Sequence, residues 1–193
     1  MPNALDEIRR QLDESCRVKQ SFSAELLGRI AAFAERAAEA VRGGGKIVYF
    51  GNGGSAADAQ HLAAELTVRL QADRPGIAAL ALTTNSSVLT AAGNDYGFEQ
   101  IFARQVESLV TKRDVVVAIS TSGNSANVVR AAQAARARGA VVVALTGESG
   151  GALAAHSDIL LNVPSQNAQR LQEAHITIGH IVCSLVEQAV RPA

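Results

Sequence analysis

KIVYFGNGGSAADAQHLAAEL, residues 46–66, sets the fold. Its first five residues are a short apolar run, too brief for a helix and of the composition that suits a buried strand. Gly51–Ser55, GNGGS, turns the chain, and a helical stretch comes at once after it. The glycines are not the dinucleotide fingerprint, because GxGxxG lacks its third glycine here, and there is no GK[ST] to make a Walker loop. There remains a tight turn offering backbone N–H groups at a helix N-terminus. That is a generic anion site, or simply a strand-to-helix turn. Asn52, Gly53, Gly54 and Ser55 are its candidate binding residues, with Ser55 as helix cap. The same helix carries His61 and Glu65 four residues apart, hence on one face. Imidazole plus carboxylate suits zinc or acid–base work, although His and Glu are also common on a solvated helix face.

Outward from this stretch, residues 4–20 and 23–42 read as helices. Leu5, Ile8 and Leu12, then Leu26, Leu27, Ile30, Phe33, Ala34 and Ala37, recur at helical spacing. GGG at 43–45 ends the second. The helix after GNGGS runs over 55–70. Residues 76–82, 114–120, 140–146 and 158–164 read as further strands, with helices over 86–93, 98–110, 126–138 and 167–190. GNDYG separates 86–93 from 98–110 as a turn. The strands are continuous apolar runs rather than alternating ones, which predicts a parallel sheet covered on both faces. The expected architecture is one α/β domain over 1–193, five-stranded and parallel, with helices on both faces and residues 1–42 as an N-terminal helical extension.

In such sheets ligands bind beyond the carboxyl ends of the strands. There the chain places a second polar loop, Ser120-Thr121-Ser122-Gly123-Asn124-Ser125, between a buried strand and a helix. Its hydroxyls and N–H groups can hold a phosphate without adding charge; Ser125 is also a natural N-cap.

Composition narrows the function classes. Lys plus Arg and Asp plus Glu are both 18, and there are no Trp and only seven aromatics. Neither a nucleic-acid footprint nor a base-stacking surface is expected. No run of about 18 apolar residues exists to span a membrane, and the first residues lack the apolar core of a signal peptide. Cys16 and Cys183 are far apart and outside any CxxC pair, as in a reducing compartment. A cytoplasmic location is the expectation.

GNGGSAADAQH, GNDYG, STSGNSANV, ALTGESGG and LQEAH…GH together resemble the sugar isomerase (SIS) family, and within it the phosphoheptose isomerases, over nearly the whole chain. The resemblance implies a SIS-type domain and a sugar phosphate held by STSGNS (Ser120, Thr121, Ser122, Ser125). It implies one zinc per subunit on His61, Glu65, Gln172 and His180, Gln172 also serving the substrate, with Asn94 and Asp95 near the sugar hydroxyls. It also implies a homotetramer with active sites at subunit interfaces. The implied reaction interconverts sedoheptulose 7-phosphate and D-glycero-D-manno-heptose 7-phosphate, ahead of heptose incorporation into lipopolysaccharide core or a related surface glycan. Asn85 stands where relatives often carry an acid, and Gln169 opens the QRLQE motif, whose flank varies.

Isomerisation of this kind moves a proton between C1 and C2 through an enediol. Glu65 is the natural base and His180 the natural proton shuttle. Asp58, one turn before His61, is placed to orient its imidazole, or is a first-turn acid favoured by the helix dipole. Spacing poses a difficulty for the ligand set. Gln172 and His180 are eight residues apart, which on one helix is about 12 Å and 80°. Either long side chains reach toward each other, or the helix starts later, or the two ligands come from different subunits. Some relatives of the family instead bind the replication initiator without catalysis. They lose acid–base residues that are present here. A third class, sugar-phosphate-sensing regulators, usually carries a DNA-binding segment, for which no room is expected in these 193 residues.

Overall fold

The apolar runs pair into a five-stranded, all-parallel sheet of order β2-β1-β3-β4-β5. The computed structural model describes residues 3–191. Helices α1 (Ala4–Gln20) and α2 (Ala24–Arg42) lead into β1 (Ile47–Gly51), α3 (Gly54–Thr67), β2 (Ala79–Ala81) and α4 (Ser86–Tyr96). Then come α5 (Ala103–Leu109), β3 (Val115–Ile119), α6 (Ala126–Ala137), β4 (Val141–Thr146), β5 (Ile159–Asn162) and α7 (Ala168–Val190).

Strand side chains alternate between two cores. Ile47, Tyr49, Val115, Val117, Val143 and Leu145 face a core shared with α2, α3 and α7. Val48, Phe50, Val116, Ala118, Val142 and Ala144 face the other, shared with α5 and α6. Burial on both faces is why the runs are apolar throughout. Helix α2 is integral to the first core through Leu26, Ile30, Phe33, Ala34 and Ala37. Helix α1 buries no residue, and Leu5, Ile8 and Leu12 are each more than half exposed. Both cysteines are free, Cys16 exposed and Cys183 buried. Among the described residues no helix is long and apolar enough to cross a membrane.

Several local expectations need correction. GNDYG is not a turn: Gly93–Tyr96 complete α4, and the break falls at Gly97. Thereafter 98–110 divides into a 3-10 turn at Phe98–Gln100 and the short α5. The strand over 76–82 shortens to β2, because the residues before it form a return loop. Ser55 is not the cap of α3: Gly53 takes that place and Ser55 is buried within the first turn. Ser125 is the N-cap of α6 by position, though its side chain makes no capping bond.

The return loop is clamped to α7. The buried Glu187 carboxylate accepts from the N–H groups of Leu70, Gln71 and Ala72 at 2.9–3.2 Å and from Arg74 Nε at 2.9 Å. Arg74 in turn donates to the carbonyls of Leu66 and Glu65, holding the end of α3. Burial alone raises the Glu187 carboxyl, but these donors outweigh it and the net shift is downward. A carboxyl lowered by folding contributes stability above its ordinary value and loses it as pH falls. Glu187→Gln leaves Arg74 buried and unpaired, a loss of about 3–5 kcal/mol, or roughly 6–20 °C in Tm for a chain of this length. The gap between wild type and variant in thermal melts narrows as pH drops below 4.5; a constant gap contradicts the clamp.

Candidate active site

Helices α3 and α7 lie side by side and run the same way. Along them Gly54 meets Gln172, Leu62 meets Gly179, and Leu70 meets Glu187. At the middle contact a Cβ on Gly179 would fall 2.5 Å from Leu62 Cδ1 and Cδ2, so the buried Leu62 side chain occupies the space that the glycine leaves and would have to shift for any larger residue. The residues beside this contact are His61 and His180. Their Nε2 atoms are 2.8 Å apart, with rings edge-on. Glu65 Oε1 lies 3.2 Å from His61 Nε2. One donor atom from each of His61, Glu65 and His180 falls within 4.8 Å of the others. Two imidazoles and one carboxylate are the donor set of a catalytic zinc site with an open position, so the residues fit the metal. The His61 side chain is 50% exposed, and the cluster is open to solvent.

Gln172 sits elsewhere. A Cβ on Gly54 would lie 2.5 Å from Gln172 Nε2, so the amide rests on the first turn of α3, about two helical turns from His180. Because α7 is continuous over Ala168–Val190, a later helix start does not resolve the spacing. Within one chain, Gln172 faces the Gly-rich turn and His180 faces the metal cluster.

The anion loops flank the switch in strand order. From β1 the chain goes to β2 on one side, and from β3 to β4 on the other, so the crevice opens between β1 and β3. GNGGS and STSGNS are the loops after those two strands. Ser55 N–H donates to Asn52 O at 3.0 Å, and Ala56 and Ala57 N–H donate to Gly53 O at 3.0 and 3.2 Å, so of the first-turn N–H groups of α3, which lack acceptors within the helix, Gly54 is the one left to offer an anion. Ser120 is buried and its Oγ donates to Ser125 Oγ at 3.2 Å. Ser122 Oγ accepts from Asn124 N–H. Gly123 (φ +66°) packs so closely on Gly150 that a side chain would clash with its carbonyl. Asn124 Oδ1 accepts from Ala152 N–H, tying the loop to TGESGG. Thr121 borders a cavity of about 300 Å³ shared with Ser149, Ser165 and Leu171.

Asn94 and Asp95 end α4 in solvent, hydrogen-bonded to each other at 2.8 Å and to neither loop nor cluster. Asn85, in place of an acid, caps α4 by accepting from Val88 N–H. No hydrogen bond joins Asp58 to His61. Burial raises the Asp58 carboxyl, His61 opposes that rise, and Asp58 Oδ2 is buried without a partner. The expected orienting hydrogen bond from Asp58 to His61 is thus not made within one chain. Sequence reasoning missed Gly179 and Asn127. Asn127 carried a signal: it is the one polar member of the buried stripe Asn127, Val128, Ala131, Ala132, Ala135 on α6.

The family model described as SIS domain matches residues 12–147. The phosphoheptose isomerase of Geobacter sulfurreducens is 53% identical over 188 residues, covering 97% of this chain and all of that one. The chain belongs to the SIS-domain family, among the phosphoheptose isomerases. Solved structures agree. The phosphoheptose isomerase of Neisseria gonorrhoeae superposes with TM-score 0.90 at 45% identity, covering 96% of this chain and all of that one. That of Francisella tularensis gives 0.92 at 39%, covering 96% and 99%.

Gly179→Ala tests the close approach. Overpacking costs about 1–3 kcal/mol, and helix propensity returns about 1, so Tm falls by only a few degrees. Zinc affinity, measured by titration against a chelating dye, falls about 10–100-fold, as when an outer support of a metal site is lost. Unchanged affinity contradicts a cluster set by this contact.

Proposed function

We propose that the protein interconverts sedoheptulose 7-phosphate and D-glycero-D-manno-heptose 7-phosphate. The observation that carries this reading is the convergence of His180 with His61 and Glu65 of the helix that begins at the Gly-rich turn. Identity of about half the residues with enzymes named for a phosphoheptose supports the substrate class. The reading without catalysis, binding of the replication initiator, has no support from the convergence of His61, Glu65 and His180 or from the isomerase relatives.

The phosphate is held by STSGNS and the N-terminus of α3, through Ser120, Thr121, Ser122, Ser125 and the Asn52–Ser55 turn. Gln172, against that turn, reaches the sugar, and Asn94 and Asp95, which stand apart from both loops within one chain, reach it where a neighbouring subunit brings them to the site. Glu65 removes the proton from C1 of the ketose while His180 gives one to the C2 oxygen, forming the enediol. His180 then takes the proton from the C1 oxygen, and Glu65 returns one to C2. No net proton is gained or lost. When zinc is bound, His61, Glu65 and His180 would hold it, and it would supply Lewis-acid polarisation of the substrate oxygens. Gln172, the fourth ligand that the resemblance implies, reaches this cluster only from a neighbouring subunit or by a change of its side chain. The exposed Leu5, Ile8 and Leu12 on α1 and Ile181 and Leu185 on α7 support a homotetramer that completes the open sites. The cytoplasm is the proposed location, and a surface heptose glycan such as lipopolysaccharide core the proposed destination of the product.

Glu65→Gln keeps size and one acceptor but removes the base. It is expected to lower kcat by about 10²–10⁴-fold, while calorimetry still detects the sugar phosphate. Metal content and light scattering on the same samples separate loss of zinc or of the four-chain assembly from loss of the base. Full turnover by the variant contradicts the assignment, and a monomeric wild type contradicts interface-built sites.

A further inference from the structure

The ladder between β1 and β3 ends at the pair Gly51↔Ile119. Beyond it the two chain segments separate: α3 packs into one core and α6 into the other. Among the described residues one side-chain link spans the split. Asn52 Nδ2 donates to Asn127 Oδ1 at 2.8 Å, and Asn127 Nδ2 donates back to Asn52 Oδ1 at 2.8 Å. Asn127 is 3% exposed, in the first turn of α6. Its orientation is fixed, because Oδ1 also accepts from Val128 N–H at 2.9 Å, and only an oxygen can do so. Asn52 opens the GNGGS turn just after β1. Ser125, two residues before Asn127, carries the hydroxyl that meets Ser120.

We propose that Asn127 is a positioning residue of the phosphate site: its amide pair with Asn52 sets the spacing between the GNGGS turn and the STSGNS loop that one phosphate must bridge. The rest of this stripe is apolar, and a buried amide is kept out of water at a cost unless it is paired. Here every polar side-chain atom of Asn127 is engaged in holding two loops whose strands have already parted. Without it, the ladder leaves the loops free to separate at the point where both must donate to the same anion. The proposal rests on the reading that these loops hold the substrate phosphate.

The test is steady-state kinetics with sedoheptulose 7-phosphate, and competition by inorganic phosphate, on Asn127→Leu and Asn127→Ser. The serine can still accept from Val128 N–H, which guards against a leucine variant that does not fold. Removing one partner of a buried pair is expected to raise KM, and the inhibition constant of phosphate with it, by about 5–100-fold, with kcat much less affected. In an Asn52→Ala background the same Asn127 substitutions should add less than about twofold, because coupled residues are not additive. Ser120→Ala is the control. If it raises KM and the folded Asn127 variants do not, the inference is overturned while the phosphate reading stands. If neither raises KM, the phosphate reading itself fails. Equal effects of Asn127 substitution with and without Asn52 also overturn the inference.

Discussion

The close approach of α3 to α7 at Leu62 and Gly179 is the constraint on which the site depends. Parallel helices in contact carry side chains in step, so the residue before Leu62 meets the residue after Gly179. That is why His61 and His180, 119 positions apart in the chain, bring their nitrogens to 2.8 Å. The contact is held at both ends. Gln172 rests on the first turn of α3, and Glu187 with Arg74 grips its last carbonyls. A sideways shift at any of these three points moves the histidines apart. The chain places a glycine opposite Leu62 and another opposite Gln172 where the helices touch, and it buries a fully paired carboxylate where α3 ends.

The crevice has a complementary construction. Strand order reverses between β1 and β3, and the helices that succeed them go to opposite faces. The loops at the opening bring hydroxyls and N–H groups rather than cations. STSGNS is braced from below by Gly150 and Ala152 and from the side by the Asn52–Asn127 pair. An uncharged, braced cradle favours an anion by geometry, with donors fixed before it arrives. About two turns along α3 the His61–Glu65–His180 cluster lies open, with His61 half exposed. Separation of roles along one helix suits a long sugar phosphate with reacting carbons far from its phosphate.

Much of this was legible in the sequence because it is local. Apolar runs such as Val115–Ile119 announce strands buried on both faces, and i, i+4 spacing announces the shared face of His61 and Glu65. The features that escaped are set by contacts between distant segments. GNDYG has the composition of a turn, yet α4 continues through it because Ala92 packs in the core and Gly97 makes the break. Ser55 has the chemistry of a cap, yet the tight turn places Gly53 there and buries the serine. Helical spacing separated Gln172 from His180, and the structure keeps them apart, one against the first turn of α3 and the other beside His61. Asn127 and Gly179 owe their roles to Asn52 and Leu62, partners far away in the chain that no local pattern marks.

The central claim is that Glu65 carries the proton between C1 and C2 at a solvent-open cluster. Isomerisation of sedoheptulose 7-phosphate in D2O, followed by mass spectrometry and NMR of the heptose phosphate, tests it most directly. A proton held on a carboxylate in a solvent-open cluster exchanges with water, so the account predicts deuterium at C2 of the aldose. Transfer of the C1 hydrogen to C2 with no deuterium incorporated would mean a hydride shift or a base shielded from water, and either contradicts it.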